Sequence, residues 1–282
     1  MLIANPIYDT VFKYLMEDIE IARELLSVII GKEVKELTVK PQETAIEATY
    51  GNQSIRIYRL DFKAIIKTPE GYQKVLIELQ KAKRFADIMR FRSYLARNYR
   101  EEDMVINEQG DPEARPLPIL NIYFFGFKLP NVPIPALKIN NCLHDAISGK
   151  PISLAQKEPF IELLNHTSYT IQIPRLKYRL KTRLEKVLMV FSQEYKTEDQ
   201  HKMDFEGEQD DPLVQRMLNR LYRAASNEEV RKSMDVEDEM ERIYNREMKH
   251  LVDKIVKKDE EIKEKDETIK ALMDQIAKLK EK

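Results

Sequence analysis

Asp61, Glu78 and Gln80 are the residues of this chain whose types and spacing could do chemistry. They flank the segment Thr68-Pro69-Glu70-Gly71, which puts proline and glycine in turn positions. On either side run Ser54 to Lys67 and Tyr72 to Gln80, both rich in β-branched and aromatic residues, so the spacing predicts a β-hairpin. With the turn on Pro69-Glu70, Phe62 opposes Ile77 and Ala64 opposes Val75 on an apolar side. Asp61 then opposes Glu78 on the other side. Directly opposed Cβ atoms lie about 4.5–5.5 Å apart, and two carboxylates at that distance repel. A hard divalent cation, Mg²⁺ or Mn²⁺, is the natural compensation, since such ions take oxygen ligands and often only one or two protein carboxylates. Gln80 follows Glu78 by two residues and shares its face, where its amide can orient a water or touch a phosphate oxygen. The Leu79 carbonyl offers one more oxygen. A metal held there can polarise a phosphodiester and lower the pKa of a bound water.

Basic residues gather just beyond, at Lys81, Lys83, Arg84, Arg90, Arg92, Arg97 and Arg100. Phe85, Ile88, Met89, Tyr94 and Leu95 give the same segment a helical period. Cations there could hold a nucleic-acid backbone, a contact that positions a duplex without reading its sequence. Lys81, Arg90 and Arg92 are the expected DNA contacts.

The segments Asp61-Phe62-Lys63, Ile77-Glu78-Leu79-Gln80 and Arg90-Phe91-Arg92-Ser93-Tyr94 resemble the PD-(D/E)XK nuclease family transposases, which include bacterial recombination-promoting nucleases. The opening Asn5-Pro6-Ile7-Tyr8-Asp9-Thr10-Val11-Phe12-Lys13 resembles their N-terminal motif. The likeness covers roughly residues 5 to 200. It implies an α/β, restriction-endonuclease-like core of mixed β-sheet flanked by helices, and metal-dependent DNA endonuclease activity. Asp61 and Glu78 would be the metal ligands. Gln80 stands where the wider superfamily usually has a charge-stabilising lysine, which leaves Lys63 or Lys81 for that role. Lys63 shares the Asp61 face, whereas Lys81 points away unless the strand has ended. Asp9 would correspond to an acidic residue near the metal, with Lys13 beside it as an accessory group; the i,i+4 spacing also allows a plain surface ion pair.

The elements that must hold these residues are legible in outline. Residues 5–31 read as helical, with Asp9 or Thr10 as cap and Gly31 as stop. Val34 to Leu37 and Glu43 to Tyr50 read as strands. Asn107 to Pro118 reads as a loop and Ile119 to Phe127 as an apolar strand. Prolines at 130, 133 and 135 argue for an extended crossing. Phe160 to Leu164 and Tyr169 to Ile173 read as further strands at a sheet edge. From Arg175 the pattern is helical, broken by the acidic run Asp204 to Asp211.

The C-terminus differs in kind. Met248, Leu251, Ile255, Ile262, Ile269, Leu272, Ile276 and Leu279 fall at heptad a and d positions, with Lys258 and Lys265 interrupting at d. Isoleucine at a with leucine at d favours a parallel dimer. The expected division is a nuclease-like domain over 1–205, a helical connector over 206–240 and a homodimeric coiled coil over 241–282.

Composition narrows the alternatives. The chain has 282 residues, 43% of them hydrophobic, enough for a sizeable core. Its 34% charged residues sum to a net charge of only −1, so any basic surface is local. One cysteine excludes an internal disulfide. No signal-peptide core and no apolar run of about 18 residues is present, which points to a cytoplasmic protein without a membrane span. The four histidines form no zinc spacing with Cys142, and there is no phosphate-binding glycine loop. The rival expectation is a catalytically silent nuclease fold that serves as an interaction module through its coiled coil.

Overall fold

The computed structural model describes residues 1–40, 46–50, 53–57, 62–81, 85–140, 142–154, 158–177, 182–207 and 209–280, with backbone alone for 46–50, 53–57, 85–87, 90 and 271–280. The chain forms two units, Met1–Arg231 and Lys232–Lys282. The helices are α1 (Asp9–Met16), α2 (Ile19–Ile30), α3 (Phe85–Arg100), α4 (Pro159–Leu164), α5 (Arg183–Leu188), α6 (Pro212–Ser226) and α7 (Glu228–Lys280). The main sheet holds β1 (Glu36–Val39), β2 (Phe62–Thr68), β3 (Gly71–Gln80), β4 (Ile119–Phe125), β5 (Ala136–Ile139) and β6 (His166–Gln172). Its spatial order is β5-β6-β4-β3-β2-β1.

The β2–β3 hairpin has the register expected from its turn: Phe62 pairs with Ile77, Ala64 with Val75 and Thr68 with Gly71. β3 and β4 run parallel, as do β4 and β6, whereas β1–β2 and β5–β6 are antiparallel. A parallel neighbour requires a crossover, and α3 lies in the one between β3 and β4.

Side chains alternate along each strand, so this register sorts the sheet into two unlike faces. Ala64, Ile66, Val75, Ile77, Leu79, Leu120, Ile122, Phe124 and Ile171 make one face almost wholly apolar and buried. Helices α1 and α2 lie on it. The Phe12 ring is 5.5 Å from Phe124, and the Tyr169 hydroxyl donates to the Ile30 carbonyl at 3.1 Å. Each large apolar side chain buried there contributes roughly 1.5–3 kcal/mol. The opposite face carries Lys63, Lys74, Glu78, Gln80, Asn121, Tyr123, Ser168 and Thr170. Helix α3 lies over it, with Phe91 4.6 Å from the Tyr123 ring. Burying polar groups is unfavourable unless they are partnered, so this second face is the informative one.

Several local expectations are corrected. The helical stretch 5–31 is two helices: Tyr8, not Asp9 or Thr10, stands at the cap of α1, and Asp18 caps α2 by accepting from the Ile21 N–H at 3.1 Å. Gly31 ends α2 in the left-handed region, φ 73°, as expected. Residues 160–164 belong to α4 rather than a strand, because Pro159 sits at the first helical turn and the Glu158 side chain accepts from the Phe160 N–H. Strand β6 lies inside the sheet; the edge is β5, which follows the proline-rich crossing. The stretch 107–118 contains a strand, Pro112–Arg115, paired with Asp103–Ile106. Of the run Ser54 to Lys67, residues 54–57 pair with 46–49 and 62–67 with β3, while residues 58–61 lie outside the described residues.

Helix α6 buries Leu213, Val214, Met217, Leu218, Leu221 and Ala224, and Asp211 caps it by accepting from the Leu213 N–H at 2.8 Å. Helix α7 runs 53 residues, about 80 Å at 1.5 Å per residue. Among the described residues no helix is long and apolar enough to cross a membrane.

Candidate functional site

Strand β3 delivers Glu78 and Gln80 to the polar face, where they are 3% and 6% exposed. Their alternation with Ile77 and Leu79 is what the hairpin pattern anticipates. Asp61, the expected partner of Glu78, lies outside the described residues. Arg90 lies on α3, its side chain outside the description.

Strand β4 adds groups that sequence reasoning missed. Tyr123 is the register partner of Glu78, and Asn121 is the partner of Leu76 on one side and Ser168 on the other. Burial pushes the Tyr123 phenol well above its ordinary value, and the nearby Glu78 and Tyr99 push it the same way. The phenol therefore stays protonated and can only donate or accept a hydrogen bond in neutral form. Asn121 is fully buried, and neither its Oδ1 nor its Nδ2 has a hydrogen-bond partner. An orphaned buried amide group is unfavourable by about 1–3 kcal/mol. A signal was present: Asn121 interrupts the apolar run of Ile119 to Phe125.

The far end of the same face holds a buried ion pair, also missed. Lys74 is fully buried, with its Nζ 2.6 Å from Asp103 Oδ2, itself 7% exposed. Lys74 also donates to the Asn98 carbonyl at 3.0 Å and the Glu101 carbonyl at 3.4 Å, so it ties down the C-terminal end of α3. Lys63 Nζ lies 2.7 Å from Glu101 Oε2. Burial pushes the Glu101 carboxyl up, but hydrogen bonds from Lys63 and Arg97 outweigh that and hold it below the ordinary range.

The accessory residues have definite places. Lys13 Nζ is 2.5 Å from Asp9 Oδ2 within α1, an i,i+4 pair. Lys81 Nζ sits 3.9 Å from the centroid of the Tyr8 ring. Tyr8 caps α1, so Asp9 starts its helix beside the end of β3. Arg92 is exposed on α3, as are Arg97 and Arg100.

Two further contacts set testable limits. Gly126 donates its N–H to the Gln80 carbonyl at 2.7 Å, and a Cβ there would lie 2.5 Å from the Lys81 carbonyl oxygen. Gly126→Ala is expected to push β4 away from the end of β3 and destabilise the fold by about 1–3 kcal/mol, read as a lowered urea midpoint. An unchanged midpoint would remove the close approach as the reason for this glycine.

The Tyr99 hydroxyl meets His166 Nδ1 at 2.5 Å, and burial lowers the His166 pKa below its ordinary 6.5. Below pH 6.5 the unfolded chain binds a proton that the folded chain refuses, so stability falls as pH drops until the folded pKa is reached. Urea midpoints at pH 7.5 and 5.5 should show that slope in the parent protein and a shallower one in His166→Gln. Equal slopes would show that His166 does not carry it.

Glu78, Gln80 and Asn121 together offer hard oxygen donors along one buried face, which fits Mg²⁺ or Mn²⁺ better than a soft metal. Among the described residues, no three His, Cys, Asp or Glu side chains converge as a metal-binding group. No protein-family model, no curated protein and no solved structure matches this chain.

Proposed function

We propose that this protein is a divalent-metal-dependent DNA endonuclease of the PD-(D/E)XK type, related to transposition or recombination and dimerised through residues 241–282. The observation that carries the reading is the buried Glu78-Leu79-Gln80 segment of β3 beside the unpartnered Asn121 amide. Glu78 and Asp61 would hold Mg²⁺ or Mn²⁺, and Gln80 and Asn121 would hold water or phosphate oxygens around it. The ion would supply Lewis acidity and a bound water acidic enough to act near neutral pH. Tyr123, the register partner of Glu78, keeps its proton and so adds no second negative charge beside that carboxylate. Exposed cations on α3, Arg92 among them, would carry the phosphate backbone of the duplex, with the Arg90 position on the same helix.

Incubation of the protein with supercoiled plasmid in Mg²⁺, Mn²⁺ or EDTA tests the reading. Nicking or linearisation that EDTA abolishes supports it. A folded protein that never cuts removes it.

A separate test asks whether metal and Asn121 meet. Asn121→Leu is expected to raise metal-free stability by about 1 kcal/mol, because the orphaned amide is gone. The same variant should show a smaller rise in melting temperature with added Mg²⁺, which stabilises the folded state by mass action. An undiminished shift would place Asn121 outside the metal's hydration shell.

A second reading has its own observation. Lys63 is paired with Glu101, and Lys81 rests on Tyr8, so both expected charge-stabilising cations are engaged elsewhere. That favours a nuclease fold kept as a silent interaction module. Such a module would bind DNA or a second copy without metal-dependent cutting.

A further inference from the structure

Helix α7 carries an exposed apolar stripe. Met248, Leu251, Ile255, Ile262 and Ile269 recur at spacings of three, four and seven, and each is 41–59% exposed. The rest of the described helix beyond Met248 is dominated by Lys, Glu and Asp, so the stripe is the apolar seam of a helix built to meet another helix. For a second copy of this helix as partner, the direction of the pair is constrained by the two interruptions at d, Lys258 and Lys265.

In a parallel pair in register, every residue of the seam shares a layer with its own copy. Lys258 would meet Lys258 and Lys265 would meet Lys265, two like-charge pairs one heptad apart in a seam that excludes water. Two ammonium groups held in one layer repel each other whatever carboxylates flank that layer, and burying them is unfavourable. In an antiparallel pair, a layers face d layers instead. One such alignment sets Ile255 and Ile262 of one copy among the d positions of the other. The same alignment sets Lys258 against Ile269 and Lys265 against Ile262. No lysine then faces a lysine. Asp259 and Asp266 occupy e positions, so the Asp266 of the second copy flanks the Lys258 layer and its Asp259 flanks the Lys265 layer. Long lysine stems pack along the isoleucines while their ammonium groups reach those carboxylates.

We propose that the exposed stripe of α7 is a docking surface for the α7 of a second copy running antiparallel, with Lys258 opposite Ile269 and Lys265 opposite Ile262. The two lysines thereby override the parallel preference expected of isoleucine at a with leucine at d, because parallel alignment is the state they disfavour. This inference rests on the dimer part of the proposed function and is independent of the cutting chemistry, which the plasmid assay tests by itself.

The test uses full-length chains in a Cys142→Ser background, carrying either Lys258→Cys or Ile269→Cys, with one chain tagged to differ in size. Both substitutions fall on exposed positions, so folding of the first unit is not at stake. After mixing and oxidation, the expected product is the mixed disulfide dimer, with little self-linked dimer of either variant alone. Abundant self-linked Lys258→Cys and Ile269→Cys dimers would show a parallel pair and overturn the proposal. A chain that sediments as a monomer at tens of micromolar, with no cross-link in any mixture, would overturn both the orientation and the dimer. A second measurement guards the reasoning. Replacing both Lys258 and Lys265 with Leu should permit self-linking of Ile269→Cys, since the parallel state then loses its penalty; if the lysines do not set the orientation, that variant cross-links as the parent does.

Discussion

Glu78→Gln, checked for unchanged folding by circular dichroism, is expected to lose more than about 100-fold of its metal-dependent plasmid nicking. Even residues that only support a metal ligand are worth about 10–100-fold, so a direct carboxylate ligand should be worth more. The change keeps the shape of a side chain that is 3% exposed while removing its charge and turning one acceptor oxygen into a donor, which separates ligation from packing. Asp61→Asn is expected to match it, and the two together should cost little more than either alone, because groups that act on one ion fail as a unit. The melting temperature of Glu78→Gln should also stop responding to Mg²⁺. Cutting that survives in both variants would move the chemistry away from β3 altogether.

Lys74→Met is expected to destabilise the first unit by about 3–5 kcal/mol, the usual result of stranding one member of a buried ion pair. The Asp103 carboxylate would remain at 7% exposure without its ammonium, and the carbonyls of Asn98 and Glu101 would lose a donor. Such a loss is a large part of a typical domain's total stability of about 5–15 kcal/mol. The double variant Lys74→Met with Asp103→Leu should recover much of the loss, because a well-packed apolar pair often replaces a buried salt bridge at little expense. Urea midpoints at constant slope measure both. A single variant within about 1 kcal/mol of the parent would mean that the pair is solvated in solution.

The fold was legible where local rules decide. The turn at Pro69-Glu70 and the alternation on both sides predict the hairpin register that β2 and β3 adopt. Helix α3 follows from its apolar period, and the long C-terminal helix from its heptads. Residues 160–164 were misread because a short apolar run suits either a strand or a helix, and Pro159 with the Glu158 cap decides for the helix.

The site was only half legible, for a reason of topology. Lys74 looks like any solvated strand lysine until the crossover brings the end of α3 and Asp103 over it. Tyr123 and Asn121 belong to a strand that pairs with β3 only because the chain returns in parallel, some forty residues later. Tyr99 and His166 meet from still more distant segments. Local propensity says nothing about such neighbours; long-range register does.

A short antiparallel pairing between two distant segments of the first unit bears on when this chain can fold. Leu2–Ala4 is hydrogen-bonded to Lys202–Asp204, and Asn5 donates to the Gln200 carbonyl at 3.0 Å. During synthesis at about 5–20 residues per second, the opening strand would wait on the order of 10–40 s for its partner to be made. Ile3 and Ala4, both fully buried in the folded unit, lack their partner strand throughout that interval. The first unit thus cannot close before residues 202–204 are made, and a nascent chain halted before residue 202 presents Leu2–Ala4 without its partner strand to whatever chaperone or neighbour reaches it first.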